Sequence, residues 1–434
     1  MTSPPPTTPT PYPPPEIWRQ IFRFATRSET SYDVDYLPFQ PIQELLETSA
    51  SHEQECLRLE TCLSLMLVSQ HFRAVAVEFM YEDVRIFDAR GLESLMAGLY
   101  RSAKEDGANG YGSYVRRLEL PRRRTKFQPD THNLPFPTHP IPCDPDAPRL
   151  DDILWLCPRL EILIRPCLRL DAENITFWST LVGTPVVGCL SRLMRLEWHE
   201  SELDSRFYGT NNAHRLREIV SQAPNLRYLF LSSDRQNSLA DLSLPPSLRT
   251  IRINRSHFQS SSPKRFMVKS RHALYVPNFR NLVLHTTLPS ALLDFVATTG
   301  HQLRVLELAF APQMTFSSNQ MQRLLSRCPL LEELAYYIGA PEISPLVEFQ
   351  SPSVKRVRLK INPDEWNPCK PVLRGQMEVL EGPSFPKLEE IILHDPTRWF
   401  MRRDLGKDLL RRMLRRGCTV RYEDGSEPPI ALST

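Results

Sequence analysis

Glycine is scarce in this chain, with 15 residues in 434 against 40 prolines. Average usage is about 7% Gly and 5% Pro, so the balance is reversed and glycine-loop nucleotide chemistry is disfavoured. No Gly-x-Gly-x-x-Gly, P-loop or Gly-x-Ser-x-Gly occurs, and His199-Glu200 lacks the second histidine of a helical zinc site. No catalytic residue, metal site or cofactor is therefore expected. The nine cysteines run from Cys56 to Cys418 with no Cys-x-x-Cys, which argues for reduced thiols over a disulfide framework or zinc ribbon. Long apolar runs are missing too: Leu65 to Val68 falls far short of the roughly 20 residues of a spanning helix. The first basic residue is Arg19, so no secretory leader is expected, and a cytoplasmic or nuclear location is.

Lysine is nearly absent. Of 53 basic residues 44 are arginine, and the first lysine is Lys104. The net charge of +3 divides unevenly, because residues 1–85 hold 6 Arg against 12 Asp or Glu and leave a net positive remainder. Two regions are implied.

Prolines fill the first residues, so 1–13 reads as an extended tail. From Glu16 the apolar spacing of Ile17, Trp18, Ile21, Phe22 and Ala25 predicts a helix, with Pro15 suited to its first turn. A polar stretch, Arg27 to Glu55, precedes a second helix-like run from Leu63 to Met80, and Val84, Ile86 and Phe87 read as a strand.

Beyond it one theme recurs, apolar-x-x-apolar-x-apolar, as in Leu193-Met-Arg-Leu196-Glu-Trp198 and Leu226-Arg-Tyr-Leu229-Phe-Leu231. Ten copies start at 115, 160, 193, 226, 248, 279, 303, 331, 354 and 388. Leucine-rich repeats run about 20–29 residues, so the short intervals fit and the long ones carry insertions, including a proline-rich loop at 121–149. Helical spacing precedes several strands, at Leu216, Ile219 and Val220, at Met321, Leu324 and Leu325, and at Leu405, Leu409 and Met413. Ser317-x-x-Gln320 fits a capping box, and Gly300 and Gly417 fit helix ends at positive φ. The expected fold is α/β: a small helical domain over 14–83 with an internal insertion, a repeat solenoid with a parallel concave sheet over 84–425, and a flexible end at 426–434.

Three strings together, Pro15-Glu16-Ile17-Trp18-x-x-Ile21-Phe22, Leu65-x-Leu67-Val68-Ser69-x-x-Phe72-Arg73 and Tyr81-Glu82-Asp83-Val84, resemble a fungal, basidiomycete-type F-box protein with degenerate leucine-rich repeats. The resemblance covers the chain after the proline tail. It implies an F-box that docks on the Skp adaptor of a Skp-cullin-F-box ubiquitin ligase, and repeats that hold a protein substrate. On it Pro15, Ile17, Ile21, Leu67, Val68 and Phe72 are the candidate adaptor-binding residues. Pro14 stands where that family usually has Leu, and Phe72 where Trp is common. A stand-alone repeat scaffold with a non-functional F-box is the alternative reading.

Side chains alternate along a strand, so if the leucines face the core, the residues between them face the concave side. That register names Arg195, Glu197 and His199, Tyr228 and Phe230, Arg252 and Asn254, Val283 and His285, Glu307, Tyr337, and Arg356, Arg358 and Lys360 as candidate substrate contacts. Arginine and aromatic side chains favour a protein partner, and the last three predict a cationic strip suited to an acidic or phosphorylated segment. The chain is nearly neutral and has no nucleic-acid motif, so neither nucleic acid nor membrane is expected as partner.

Overall fold

The computed structural model describes residues 13–26, 33–39, 49–86, 89–107, 110–120, 150–165, 190–200, 211–233, 242–254, 276–285, 290–308, 318–338, 351–361, 375–395, 398 and 400–428. The proline tail up to residue 12, the loop 121–149, Phe87, Ser317 of the expected capping box and the end from 429 lie outside them.

Each of the ten motif copies becomes a strand that begins two residues after its first apolar position. These are β2 (Arg117–Glu119), β3 (Ile162–Arg165), β4 (Arg195–Glu200), β5 (Tyr228–Ser233), β6 (Thr250–Asn254), β7 (Asn281–His285), β8 (Val305–Leu308), β9 (Glu333–Ile338), β10 (Arg356–Ile361) and β11 (Glu390–His394). β1 (Asp83–Arg85) precedes them, and β12 (Thr419–Tyr422), which the motif count missed, follows. Among the described residues these twelve strands form one sheet in chain order. Every pairing is parallel. Stacking in chain order is the arrangement of a solenoid-like repeat, in which each unit covers its neighbour's apolar face.

The register puts the motif's apolar positions in common rows. One row runs Val84, Leu118, Leu163, Leu196, Leu229, Ile251 and onward to Ile391 and Val420, and nearly all of it is buried in a single core. The motif's first apolar residue is set by a tight turn: Leu160, Leu226, Leu248, Phe279, Leu331 and Leu388 each donate a backbone N–H to the residue three before. Proline sits second in that turn at Pro158, Pro224, Pro246, Pro277, Pro329 and Pro386, where its fixed φ is already the one required. The third position can tie one turn to the last: Asn225 Nδ2 donates to the Ser191 carbonyl (2.7 Å) and Asn278 Nδ2 to that of Pro246 (2.8 Å). Six of the 40 prolines are thus repeat punctuation.

Helices cover the leucine side where they are described, beginning with α4 (Ala89–Asp106) and α5 (Leu150–Leu156). In α6 (Asn211–Ser221), α8 (Ser318–Ser326) and α9 (Asp404–Arg415) the buried residues Leu216, Ile219, Val220, Met321, Leu324, Leu325, Leu409 and Met413 fall on the spacing that the sequence predicts. Gly417 follows α9 at φ 81°, as expected. Gly300, after α7 (Ser290–Thr299), does not have the expected positive φ and is there for a different reason. It opens a 3-10 turn, and a Cβ on it would meet the Arg327 carbonyl oxygen at 2.5 Å.

Among the described residues three helices precede the sheet: α1 (Pro15–Ala25), α2 (Ser49–Met66) and α3 (Gln70–Glu82). The expected single run from Leu63 to Met80 is two helices, because Ser69 caps α3 by accepting the Phe72 N–H (3.1 Å). α2 also begins earlier than its apolar pattern, inside the stretch that reads as polar. The three close on their own core of Phe22, Cys62, Val75, Ala76 and Phe79, with Trp18 and Phe72 packed against it. No helix among the described residues is long and apolar enough to cross a membrane.

Candidate functional site

The face opposite the leucines carries the candidates. In chain order one row reads Asp83, Arg117, Ile162, Arg195, Tyr228, Thr250, and later Glu333, Arg356 and Glu390. Its neighbour holds Glu119, Glu197, Phe230, Arg252, Val283, Glu307, Ala335 and Arg358. The charges are organised rather than scattered. Arg195 pairs with Glu197 and lies 4.6 Å over the Tyr228 ring. Arg252 lies 5.4 Å over Phe230, whose ring His199 meets edge-on at 4.6 Å. These are cation–π and edge-to-face contacts, which gain strength when dry.

Burial works against the Glu197 charge, but Arg195, His199 and Arg252 hold its carboxyl below the usual range. His285 is the opposite case. Burial first, then Arg252 and Lys360, push it well below the ordinary imidazole value, so its neutral Nε2 accepts from Arg252 Nε (2.8 Å). For Glu307 burial wins over Arg252, Phe39 and Tyr36, and its pKa rises.

The expected open surface is in fact largely buried at Arg195, Glu197, His199, Tyr228, Phe230, Arg252, Asn254, His285 and Glu307. Part of the cover is a segment of the chain itself, Asp33–Phe39, from the insertion between α1 and α2. Arg195 donates to the Asp33 carbonyl (2.6 Å). Glu307 Oε2 accepts twice, from the Tyr36 hydroxyl (2.7 Å) and the Phe39 N–H (2.9 Å). The Phe39 ring meets Tyr337 at 5.3 Å and His394 at 4.6 Å, both nearly perpendicular. Lys360 stands 5.8 Å from that ring and 3.5 Å from the Phe39 carbonyl.

The expected cationic strip is on the expected face, and its two arginines are paired with carboxylates. Arg356 reaches Glu333 (2.9 Å) and Glu390 (2.6 Å), and Arg358 reaches Glu333 (2.5 Å). Arg356 stands level with both carboxylates on the adjacent strands, and Arg358 reaches Glu333 from two residues further along its strand.

Of the adaptor candidates, Pro15 is exposed, Ile17 is 43% exposed, Ile21 46%, Leu67 87% and Val68 63%. Phe72 is different: half-buried, its ring packs 4.6 Å from Trp18 and 5.0 Å from Phe22, against the helical core. Sequence reasoning missed Asp33–Phe39, Glu333, Glu390 and His394. The register rule reaches the last three when it is applied to every strand. For the segment, the signal was its Tyr, Leu and Phe amid polar residues.

The helices are joined to the sheet by buried charge. Arg58 of α2 donates to Glu55 (2.9 and 2.7 Å) and to the carbonyls of Phe79 (3.1 Å) and Asp83 (2.9 Å). Arg117 bridges Asp83 (2.6 Å) and Glu119 (2.8 Å). Burial pushes the thiols of Cys62 and Cys418 up, and that of Cys328 to about 12. Among the described residues no group of His, Cys, Asp or Glu is placed to hold a metal ion. No protein-family model matches this chain, and neither does any curated protein.

Proposed function

We propose that the chain is the substrate-recognition subunit of a Skp-cullin-F-box ubiquitin ligase, with α1–α3 as its F-box and the sheet as a leucine-rich-repeat-like solenoid. The observation that carries the reading is the apolar surface left over by the helical domain. Its core closes around Phe22, yet Ile17, Ile21, Leu67 and Val68 stay outside. Burying such a side chain contributes about 1.5–3 kcal/mol, so a partner that covers them is stabilised by contact. Ile17 and Ile21, one helical turn apart, have the spacing that a helix offers to a groove.

In this reading the chain supplies no nucleophile. Other subunits transfer ubiquitin, and the receptor raises the effective concentration of the acceptor by holding it nearby. The Skp adaptor and cullin subunits are the constant partners, the substrate is a protein, and the complex works in the cytoplasm or nucleus.

Co-expression with the Skp adaptor tests it. A one-to-one complex is expected on size-exclusion chromatography. The I17D/I21D double variant is expected to weaken it by about thirtyfold or more, without lowering the melting temperature of the chain. Absence of any complex with the intact chain overturns the reading.

A further inference from the structure

Residues 26–48 connect two helices that already touch a common core. Such links usually take about 2–8 residues. This one instead carries Asp33–Phe39 to the opposite face of the sheet, against residues of β4, β8, β9, β10 and β11.

We infer that Asp33–Phe39 is an internal stand-in for the partner of that face: a latch that an extended protein segment of the form acidic-Tyr-x-Pro-aromatic displaces. The inference rests on reading the face as a partner surface.

Three observations carry it. The latch is not a strand of the sheet, which runs from β1 to β12 without it. It is held instead by side chains of the face: Glu307, Arg195, Lys360, and the slot around Phe39. Its outer side is open, with Asp33, Asp35 and Leu37 exposed. It can therefore lift without breaking the leucine core.

The contacts also define what replaces it. Glu307, buried beside Arg252 and Lys360, needs donors such as the Tyr hydroxyl and a backbone N–H. The slot formed by Tyr337, His394 and Lys360 takes a flat ring through edge and cation–π contacts. Arg249, 3.9 Å from Asp35, favours an acidic residue just before the tyrosine. A tethered segment competes at an effective concentration near mM (about 10⁻³ M). A free partner thus binds the closed chain weakly and the opened chain more tightly by the latch's own closing constant.

The probe is a fluorescein-labelled peptide with the sequence of residues 31–41, titrated into the full chain and into the full-length Y36A/F39A variant. Binding to the variant is expected to be at least about tenfold tighter than to the wild type, and a peptide of scrambled order is expected not to bind. Equal affinity for both chains, or equal binding of the scrambled peptide, overturns the proposal. Should the variant not fold, hydrogen exchange on the wild type decides. Amides of 33–39 are expected to exchange about a hundredfold or more faster than those of β5 and β9, and protection equal to the strands overturns the latch. These readouts do not involve the Skp adaptor. A permanently closed latch with adaptor binding intact refutes only this inference, whereas peptide binding without adaptor binding refutes only the ligase reading.

Discussion

Arg117 has its guanidinium wholly inside the protein, between Asp83 and Glu119. Burial opposes its charge, but the two carboxylates raise its pKa, so it stays charged. Deleting one member of such a set leaves the others buried and uncompensated. R117M is therefore expected to cost about 3–5 kcal/mol in urea unfolding. His285 makes a pH prediction. Its folded pKa lies well below the ordinary 6.5, from burial first and then Arg252 and Lys360. As pH falls through about 6.5 the unfolded imidazole takes a proton that the folded one refuses, so stability falls with pH. Urea midpoints are expected to drop between about pH 7 and 5.5, with a shallower slope in H285Q. Because His394 is also pushed down, chiefly by burial, and Glu307 pushed up, the difference between the two slopes is the quantity to compare.

At the scale of elements the turn before each strand does as much as the strand. P277A keeps a geometry that alanine can adopt but frees the unfolded chain, and is expected to cost about 0.4–1 kcal/mol. G300A, whose Cβ would press on Arg327 and Val296, is expected to cost about 1–3 kcal/mol. Thermal unfolding of both variants checks the pair. Strand positions were legible because the repeat writes them twice, in the apolar triplet and in the turn before it. β12 was not, since Thr419-Val420-Arg421-Tyr422 carries only part of the triplet. The break between α2 and α3 was hidden as well. Leu67 and Val68 continue the apolar pattern although they point outward, and Ser69 alone marks the cap.

For the whole molecule, the direction of side chains on the face was legible, because a period of two leaves one choice once the leucines are buried. Its cover and its charge pairing were not. The cover joins residues far apart in sequence, Tyr36 with Glu307, and no local pattern encodes that distance. The pairing of Arg356 with Glu333 and Glu390 emerges only when the repeat register is extended to every strand. What results is one body with two separate surfaces. Arg58, Glu55 and Asp83 tie the helices to the first strand, so an adaptor on α1 would hold the sheet in a defined position. Hydrogen–deuterium exchange on the full chain, with and without the Skp adaptor, tests this division of labour most directly. New protection is expected in 15–25 and 65–72, with β4 to β11 unchanged. Protection on the strands with none in α1, or no change anywhere at saturating adaptor, would contradict it.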